Sequence, residues 1–361
     1  MCESGRVPRA AVRILHPEPA EDAGELARLL AHARRLAADE LAARFRFAGA
    51  DDVRIDAGPP DGRSFGERLR SLAVEVGPGA GLVVLGSGSI ALARDEDLGS
   101  LISTAASGER RALTNNHYSS DALAVGDAAI LASVPDLPSD NALPRWLEDA
   151  GVAVEELPDR KRLALDLDSP LDLELLRRHP ACPEPLTNLA REMAHRLARP
   201  AEAFDELTAL AANPKAELLV AGRLSAATLR DLEERTACRI RAFIEERGLR
   251  TAAPSQRPAA SALGLLLDRD GPEEIGMLVA RLADGAILDT RVLLAHRHGA
   301  NESGWPSPED RFASDLLLAD RVRDPWLQQL TQHAWSHEAP IALGAHSLVG
   351  PGLTLALGIG A

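Results

Sequence analysis

The chain has 361 residues, more than one ordinary domain holds, and 45% of them are hydrophobic, which suffices for buried cores. Its 40 basic and 54 acidic residues give a net charge of −14, which argues against a nucleic-acid-binding protein and against docking on an anionic membrane. The cysteines Cys2, Cys182 and Cys238 form neither a disulfide framework nor a metal cluster. No apolar run has membrane-spanning length and the first residues lack a secretory signal, so we expect a cytoplasmic protein.

Strands alternate with amphipathic helices in the first part of the chain. Leucine and alanine recur every three or four positions in the helical stretches, and short apolar runs separate these stretches. The predicted elements are a strand at Ala11–Leu15, a helix at Glu21–Ala43, a strand at Val53–Asp56, a helix at Ser64–Val76 and a strand at Gly81–Leu85. This alternation continues to residue 178 and predicts an α/β domain with a largely parallel sheet.

A glycine-containing turn, Gly86-Ser87-Gly88-Ser89, follows the apolar strand and precedes another predicted helix. Gly86, Gly88 and Ala91 fit the G-x-G-x-x-[GA] dinucleotide fingerprint, although this strand is not the first of the domain. A tight turn that joins a strand to a helix explains the same residues without a ligand. The sequence is compatible with a dinucleotide site and with a simple turn at these residues.

A run of eight hydrogen-bonding residues, 114–121, separates two apolar stretches and is longer than a turn requires. We expect these residues to line a ligand pocket, where a few placed polar groups give specificity. A polar surface loop is the alternative. The candidates for substrate contact are Thr114, Asn115, Asn116 and Tyr118, the last being the only tyrosine of the chain.

An acidic segment follows near residue 166. Alternating leucines predict a short buried strand at Leu163–Leu167, and the Ser-Pro pair after Asp168 would begin a helix. Asp166 and Asp168 would then lie at the carboxyl end of a strand, where open α/β sheets bind ligands. Two carboxylates at this spacing suit a Mg²⁺ ion that is bound to substrate phosphates. The alternative is that both aspartates only cap the helix.

Two motif regions resemble one family. Residues 166–173, D-L-D-S-P-L-D-L, resemble the D-x-D-T-P-E-D-L signature of small nucleotidyltransferases of the GT-A type. That family includes 2-phospholactate guanylyltransferase and the molybdenum-cofactor nucleotidyltransferases. Residues 64–98 are similar to the same family in the order of their motifs. This order is S-F-G-E-R-L, an apolar strand, G-S-x-x-x-x-L and then E-D-L. The resemblance covers about residues 10–178 and implies a Rossmann-like nucleotidyltransferase (GT-A) sheet.

The resemblance also implies an activity and a cofactor. The reaction would transfer a nucleoside monophosphate from an NTP to a small phosphorylated metabolite, with Mg²⁺ as the cofactor. Asp168 would be the catalytic and metal-binding aspartate, with Asp166 as a second ligand. The Thr114-Asn115 pair would contact the substrate, as a similar segment does in the family.

Two features of the family are absent from this sequence. The first metal-binding aspartate of the family falls on Gly88, and the residues His16–Pro19 stand where a glycine-rich loop is expected. Loss of one carboxylate weakens the hold on a divalent ion. A catalytically degenerate protein that binds a nucleotide or metabolite and acts as a regulator is therefore the second hypothesis.

The proline-rich segment His179–Pro185 predicts a boundary between domains at residues 1–180 and 181–361. The second part is predicted to be another α/β domain made of two strand–helix–strand units. Its second unit would use strands at Gly264–Leu267 and Ala286–Leu294. The sequence indicates no oligomeric state.

Polar residues accumulate towards the end of the chain. His296 and His298 would face the same side of a strand, which suits a metal ion or an anion, and hydrogen-bonded surface histidines are the alternative. An unrelated activity in this second domain is the third hypothesis. Its candidate residues are Asp289, His296, Asp310, Arg311 and His346.

Overall fold

The computed structural model describes residues 9–59, 61–246 and 258–359. The chain divides into two compact units. Unit 1 contains the described part of Met1–Glu21 together with Ala31–Asp166, and unit 2 contains Asp22–Leu30 together with the described part of Leu167–Ala361. Each unit is built around its own β-sheet, so the predicted α/β architecture with two sheets is confirmed.

Unit 1 alternates strands and helices. The helix α1 begins among residues of unit 2 and continues into unit 1. The elements are β1 (Arg9–Pro17), α1 (Glu25–Phe47), β2 (Asp52–Gly58), α2 (Phe65–Val76), β3 (Ala80–Gly86), α3 (Asp95–Ala105), β4 (Arg111–Thr114), β5 (Ala122–Val125), α4 (Leu143–Asp149), β6 (Ala153–Glu156) and α5 (Arg160–Leu163).

The sheet of unit 1 has six strands in the order β2-β1-β3-β5-β4-β6. β1 pairs in parallel with β2 and β3, whereas β5 runs antiparallel to both β3 and β4. Side chains alternate between two cores: Val83 and Leu85 face one, and Leu82 and Val84 face the other. Both faces of the central strands are thus buried, which explains the all-apolar run of β3.

Local sequence explains where α2 starts. Ser64 is its N-cap, and its hydroxyl group accepts a hydrogen bond from the backbone N–H of Glu67 at 3.1 Å. The Glu67 carboxylate in turn accepts from the backbone N–H of Ser64 at 2.7 Å, which completes a capping box. This box supports the predicted start of the helix at residue 64.

One buried charge lies inside the sheet of unit 1. Arg13 in β1 is 1% exposed, and its guanidinium group binds Asp52 at 2.8 Å and Glu75 at 2.9 Å. Both carboxylates are partly exposed, so the pair is only half removed from water. Arg13 therefore joins β1 to β2 and α2 and is a structural residue.

Unit 2 is richer in helices. It contains α6 (Leu171–Arg177), α7 (Glu184–Glu192), α8 (Ala194–Ala211), β7 (Glu217–Gly222), α9 (Ala226–Arg235), β8 (Arg239–Ile244), α10 (Ala262–Asp270), α11 (Ile275–Leu282), β9 (Gly285–Asp289), α12 (Thr290–His298), α13 (Pro308–Asp315), α14 (Pro325–Ser336), β10 (Ile341–Gly344), α15 (His346–Val349) and α16 (Leu353–Ala356). Its four strands are parallel and have the order β10-β9-β7-β8.

Three predicted strands were wrong in whole or in part. Leu163–Leu167 contains the end of α5 and an irregular segment, although its three leucines are buried as predicted. Gly264–Leu267 lies in the helix α10, and the predicted strand Ala286–Leu294 ends at Asp289, where α12 begins. Short apolar runs pack equally well as a strand or as a buried helical turn, so their periodicity did not distinguish the two.

Candidate functional site

The most distinctive polar pair of unit 1 lies at the carboxyl ends of its central strands. β1 connects through α1 to β2 on one side, and the chain then returns through α2 to β3 on the other side. The order of strands therefore reverses between β1 and β3, and such a switch point is where open α/β sheets bind ligands. The site begins at the end of these two strands.

His16 and Ser87 meet at this switch point. Leu15 pairs with Gly86 in the parallel register, so the next residues of the two strands lie side by side. The Nδ1 atom of His16 lies 3.0 Å from the Oγ atom of Ser87, and both residues are less than a tenth exposed. A hydroxyl group and an imidazole at this distance share one hydrogen bond, whose donor depends on the tautomer of the histidine.

The surroundings keep His16 neutral. Burial lowers the pKa of its imidazole, and the positive charges of Arg35 and Arg34 in α1 lower it further, whereas Glu18 and Asp39 act in the opposite direction. Because desolvation is the largest of these effects, the uncharged ring dominates at neutral pH. The end of β1 therefore presents a neutral hydrogen-bonding ring within the field of two arginines.

The turn after β3 is tightly held. The backbone N–H of Ser87 donates to the carbonyl oxygen of Leu15 at 2.9 Å, and the hydroxyl group of Ser89 donates to the carbonyl oxygen of Gly86 at 2.8 Å. Ile90 is fully buried with a φ of 45°, a conformation that a β-branched residue rarely adopts. Local backbone strain of this kind accumulates at functional sites.

The predicted substrate-binding loop is largely engaged with itself. The hydroxyl group of Thr114 lies 2.8 Å from that of Ser120, and the Asn115 side chain accepts from the backbone N–H of Ala122 at 3.0 Å. Thr114, Asn115 and Asn116 are buried. These hydrogen bonds shape the turn between β4 and β5, and contact of the same residues with a substrate stays a prediction.

Tyr118 lies at the exposed tip of the same turn. Its ring is 64% exposed, the guanidinium group of Arg160 lies 5.2 Å from its centroid, and the His117 ring meets it edge-on at 5.4 Å. The tip of the turn therefore presents an exposed aromatic ring beside a cationic group.

The two predicted metal-binding aspartates lie outside any strand. Asp166 is partly buried at the end of unit 1, and Asp168 is exposed in unit 2. The expectation that they follow a sheet strand was wrong, because Leu163–Leu167 is not a strand. Gly88 offers no carboxylate, and no group of three or more His, Cys, Asp or Glu residues in the described ranges is arranged to hold a metal ion. A Mg²⁺ ion held by Asp166, Asp168 and substrate phosphates stays a prediction.

Asp172 is the carboxylate of this segment whose pKa is shifted most. It was not among the residues predicted from the sequence. Its carboxylate accepts from the backbone N–H groups of Asp168 at 2.7 Å and Ser169 at 2.6 Å, and from the hydroxyl group of Ser347 at 2.6 Å. Complete burial, and next the negative charge of Asp168, raise its pKa to about 7. The Ser169-x-x-Asp172 spacing, typical of a capping box, was the signal for it in the sequence.

Charged residues also gather at the carboxyl ends of the strands in unit 2. Asp289 ends β9 and binds the guanidinium group of Arg223, which follows β7, with its nearest atoms 2.6 Å apart. Gly222 has a φ of 137°, and an added Cβ would lie 2.2 Å from the Cβ of Asp289. Arg291 and Asp315 form a second, fully buried pair with two bonds of 2.7 and 2.6 Å. These groups satisfy one another, so removal of one partner would leave a buried charge unpaired.

The other candidates of unit 2 make separate contacts. His296 lies in the last turn of α12, and its Nε2 atom lies 2.9 Å from Asp268. His298 does not share its face, because residues two apart on a helix point in different directions, so the predicted pair on a strand was wrong. Asp310 accepts from the backbone N–H of Arg323 at 2.7 Å.

The two remaining candidates of unit 2 are Arg311 and His346. Arg311 forms an ion pair with Glu302 at 2.8 Å, and its guanidinium group lies over the Trp305 ring. His346 is exposed at the start of α15. None of these contacts, as far as the described residues extend, unites the predicted residues in one catalytic arrangement.

Comparison with known proteins provides no further assignment. No protein-family model matches this chain, and a search of curated proteins finds no significant match. Over the described ranges, the helices are all too short or too polar to cross a membrane.

Proposed function

We propose that this chain binds a small phosphorylated ligand, a nucleotide or a phosphorylated metabolite, at the carboxyl edge of the six-stranded sheet in unit 1. The observation that carries the proposal is the buried contact of 3.0 Å between His16 and Ser87 at the switch point of that sheet. The region between the ends of β1 and β3 is where the topology leaves room for a ligand.

The chemistry of the pair favours a phosphate group. Phosphate oxygens accept hydrogen bonds, and the hydrogen bond within the pair leaves one donor free, either the hydroxyl group of Ser87 or the Nε2–H of the His16 ring. Arg34 and Arg35 supply positive charge close enough to lower the pKa of the imidazole. A negative ligand would reverse that effect and raise the same pKa, because it stabilises the charged ring.

Binding of the ligand has more support than catalysis. The residues that would hold Mg²⁺ in the related family are incomplete here, because Gly88 replaces one carboxylate. Binding through His16, Ser87 and nearby arginines needs no metal ion. The regulatory or scaffold role of a catalytically degenerate protein is therefore the function with the most support.

Thermal and chemical stabilisation by ligands tests this proposal. We expect ATP, GTP, CTP or a simple sugar phosphate to stabilise the wild-type chain without Mg²⁺, by about 2.7 kcal/mol at a hundredfold excess over the dissociation constant. His16→Gln and Ser87→Ala should abolish most of this stabilisation. Ser133→Ala, which removes an exposed hydroxyl group of unit 1, is the matched control and should behave as the wild type.

The same experiment separates the competing candidate, a Mg²⁺-dependent nucleotidyltransferase. Its support is the D-L-D-S-P-L-D-L motif. Stabilisation that requires Mg²⁺ and disappears in Asp168→Ala, together with release of pyrophosphate from an NTP, would favour the transferase. If no phosphorylated compound stabilises the chain, or if the His16 and Ser87 variants respond as the wild type does, the proposed site is wrong.

A further inference from the structure

Tyr118 is exposed at the carboxyl edge of the six-stranded sheet, the edge at which the phosphate site is proposed. Leu85 near the end of β3 pairs with Ala122 at the start of the antiparallel β5, so the turn that carries Tyr118 lies beyond the end of β3. The other exposed large hydrophobic side chains of unit 1, among the described residues, are Phe47 and Val74, which lie on the helices α1 and α2. Tyr118 is therefore the exposed aromatic residue at the strand ends.

Hydrogen bonds connect this turn to the residues around Ser87. The backbone N–H of Gly86 donates to the carbonyl oxygen of Asp121 at 3.1 Å, and the hydroxyl group of Ser89 lies 3.1 Å from the same oxygen. Tyr118 is three residues from Asp121, so their Cα atoms are at most about 11 Å apart. A ligand whose phosphate group is bound at Ser87 can therefore reach the Tyr118 ring with its other end.

The turn holds Tyr118 in place without covering its ring. The backbone N–H of Tyr118 donates to the side-chain oxygen of Asn116 at 3.0 Å, and the backbone N–H of His117 donates to the carboxylate of Glu156. The guanidinium group of Arg160 lies 5.2 Å from the ring centroid, a cation–π contact, and Tyr118 is still 64% exposed. Because the ring is already held, stacking of a second flat group on it costs little conformational freedom.

A held and exposed aromatic ring selects a ligand that has an aromatic group of its own. Every nucleobase has a π-face and stacks on aromatic side chains, whereas a sugar phosphate has no such face. We propose that Tyr118 stacks on the base of a nucleotide whose phosphate group is bound at the His16–Ser87 pair, which rests on the function proposed above. The ligand class is thus nucleotides and not phosphorylated metabolites in general.

Calorimetric titration with AMP and with ribose 5-phosphate, both without Mg²⁺, tests this proposal, because the two compounds differ chiefly in the adenine base. The wild type should bind AMP about tenfold more tightly than ribose 5-phosphate. Tyr118→Ala should weaken AMP binding about tenfold and leave the affinity for ribose 5-phosphate unchanged. Tyr118→Phe keeps the ring and should bind both compounds as the wild type does.

The matched control is Phe47→Ala, which removes another exposed aromatic ring of unit 1 and should leave both affinities unchanged. His16→Gln should weaken the binding of both compounds, because both carry the phosphate group. The proposal is overturned if the wild type binds AMP no more tightly than ribose 5-phosphate, or if Tyr118→Ala weakens both compounds equally or neither of them. If neither compound binds to the wild type, the phosphate site itself is wrong, and the stacking role of Tyr118 is rejected with it.

Discussion

At the scale of single residues, Asp172 has an environment far from that of a carboxylate in water. It is fully buried, and three hydrogen bonds hold it between the segment before α6 and Ser347 of α15. The nearby Asp168 opposes its ionisation. Its carboxyl group thus joins two parts of unit 2 that lie 175 residues apart in the chain.

This environment predicts a pH dependence of stability. The pKa of Asp172 is about 7 in the folded chain, well above the value of about 4 in an unfolded one. Between these values the folded state retains a proton that the unfolded state has lost, so stability falls as the pH rises towards 7. The slope is about 1.4 kcal/mol per pH unit for one group.

Urea unfolding at several pH values checks this prediction. Asp172→Asn cannot ionise, so between pH 5 and pH 7 the wild type should lose about 2 kcal/mol relative to that variant. Asp168→Asn should reduce the loss, because it removes the charge that raises the pKa of Asp172. Parallel pH profiles for the wild type and Asp172→Asn would show that this carboxyl group titrates normally.

At the scale of elements, helix starts are the features that the local sequence predicts best. The Ser64 and Glu67 side chains cap α2 reciprocally, and the Ser225 hydroxyl group accepts from the backbone N–H of Thr228 at the start of α9. Caps depend on residues three positions apart, so no distant contact is needed to form them. Short apolar runs such as Gly264–Leu267 are predicted less well than helix starts, because long-range packing decides whether such a run forms a strand or a helix.

The capping box of α2 supports a second stability prediction. Ser64→Ala removes the acceptor for the Glu67 backbone N–H and should destabilise the chain by about 1 kcal/mol. Ser71→Ala, an exposed change in the same helix, is the control and should change the free energy of unfolding by less than about 0.5 kcal/mol. Equal unfolding midpoints in urea for both variants would contradict a role for the cap.

At the scale of the whole molecule, the net charge of −14 sets what the chain attracts. The acidic residues outnumber the basic ones along a chain of two α/β units, and several arginines are already paired with carboxylates in the core. Small phosphorylated ligands need only a local positive field, as at His16, whereas a long polyanion meets the charge of the whole surface.

We therefore predict no measurable binding to duplex DNA or to RNA at about 0.15 M ionic strength. A mobility-shift or anisotropy titration measures this directly, with a basic DNA-binding protein as the positive control. Binding that persists at this salt concentration, or that falls steeply with added salt, would reveal a basic surface that the overall charge conceals.

The amino-acid sequence by itself determined the α/β class, the helices α1 and α2 and the central strand β3. Periodicity and capping depend on neighbouring residues, so they can be recognised from the sequence alone. It also placed Thr114, Asn115 and Asn116 in one polar turn, but it did not reveal that their side chains mostly bond to that turn.

Only the tertiary structure decided which residues meet. His16 and Ser87 lie 71 residues apart in the chain and come together because β1 and β3 pair in parallel, and Asp172 meets Ser347 only when unit 2 is folded. The same folding left Asp166 and Asp168 in an irregular segment that follows a helix, and it placed His296 and His298 on a helix and not on a strand. Strand pairing and burial depend on long-range contacts, and these contacts, not local spacing, decide where polar groups converge and which of them lose their contact with water.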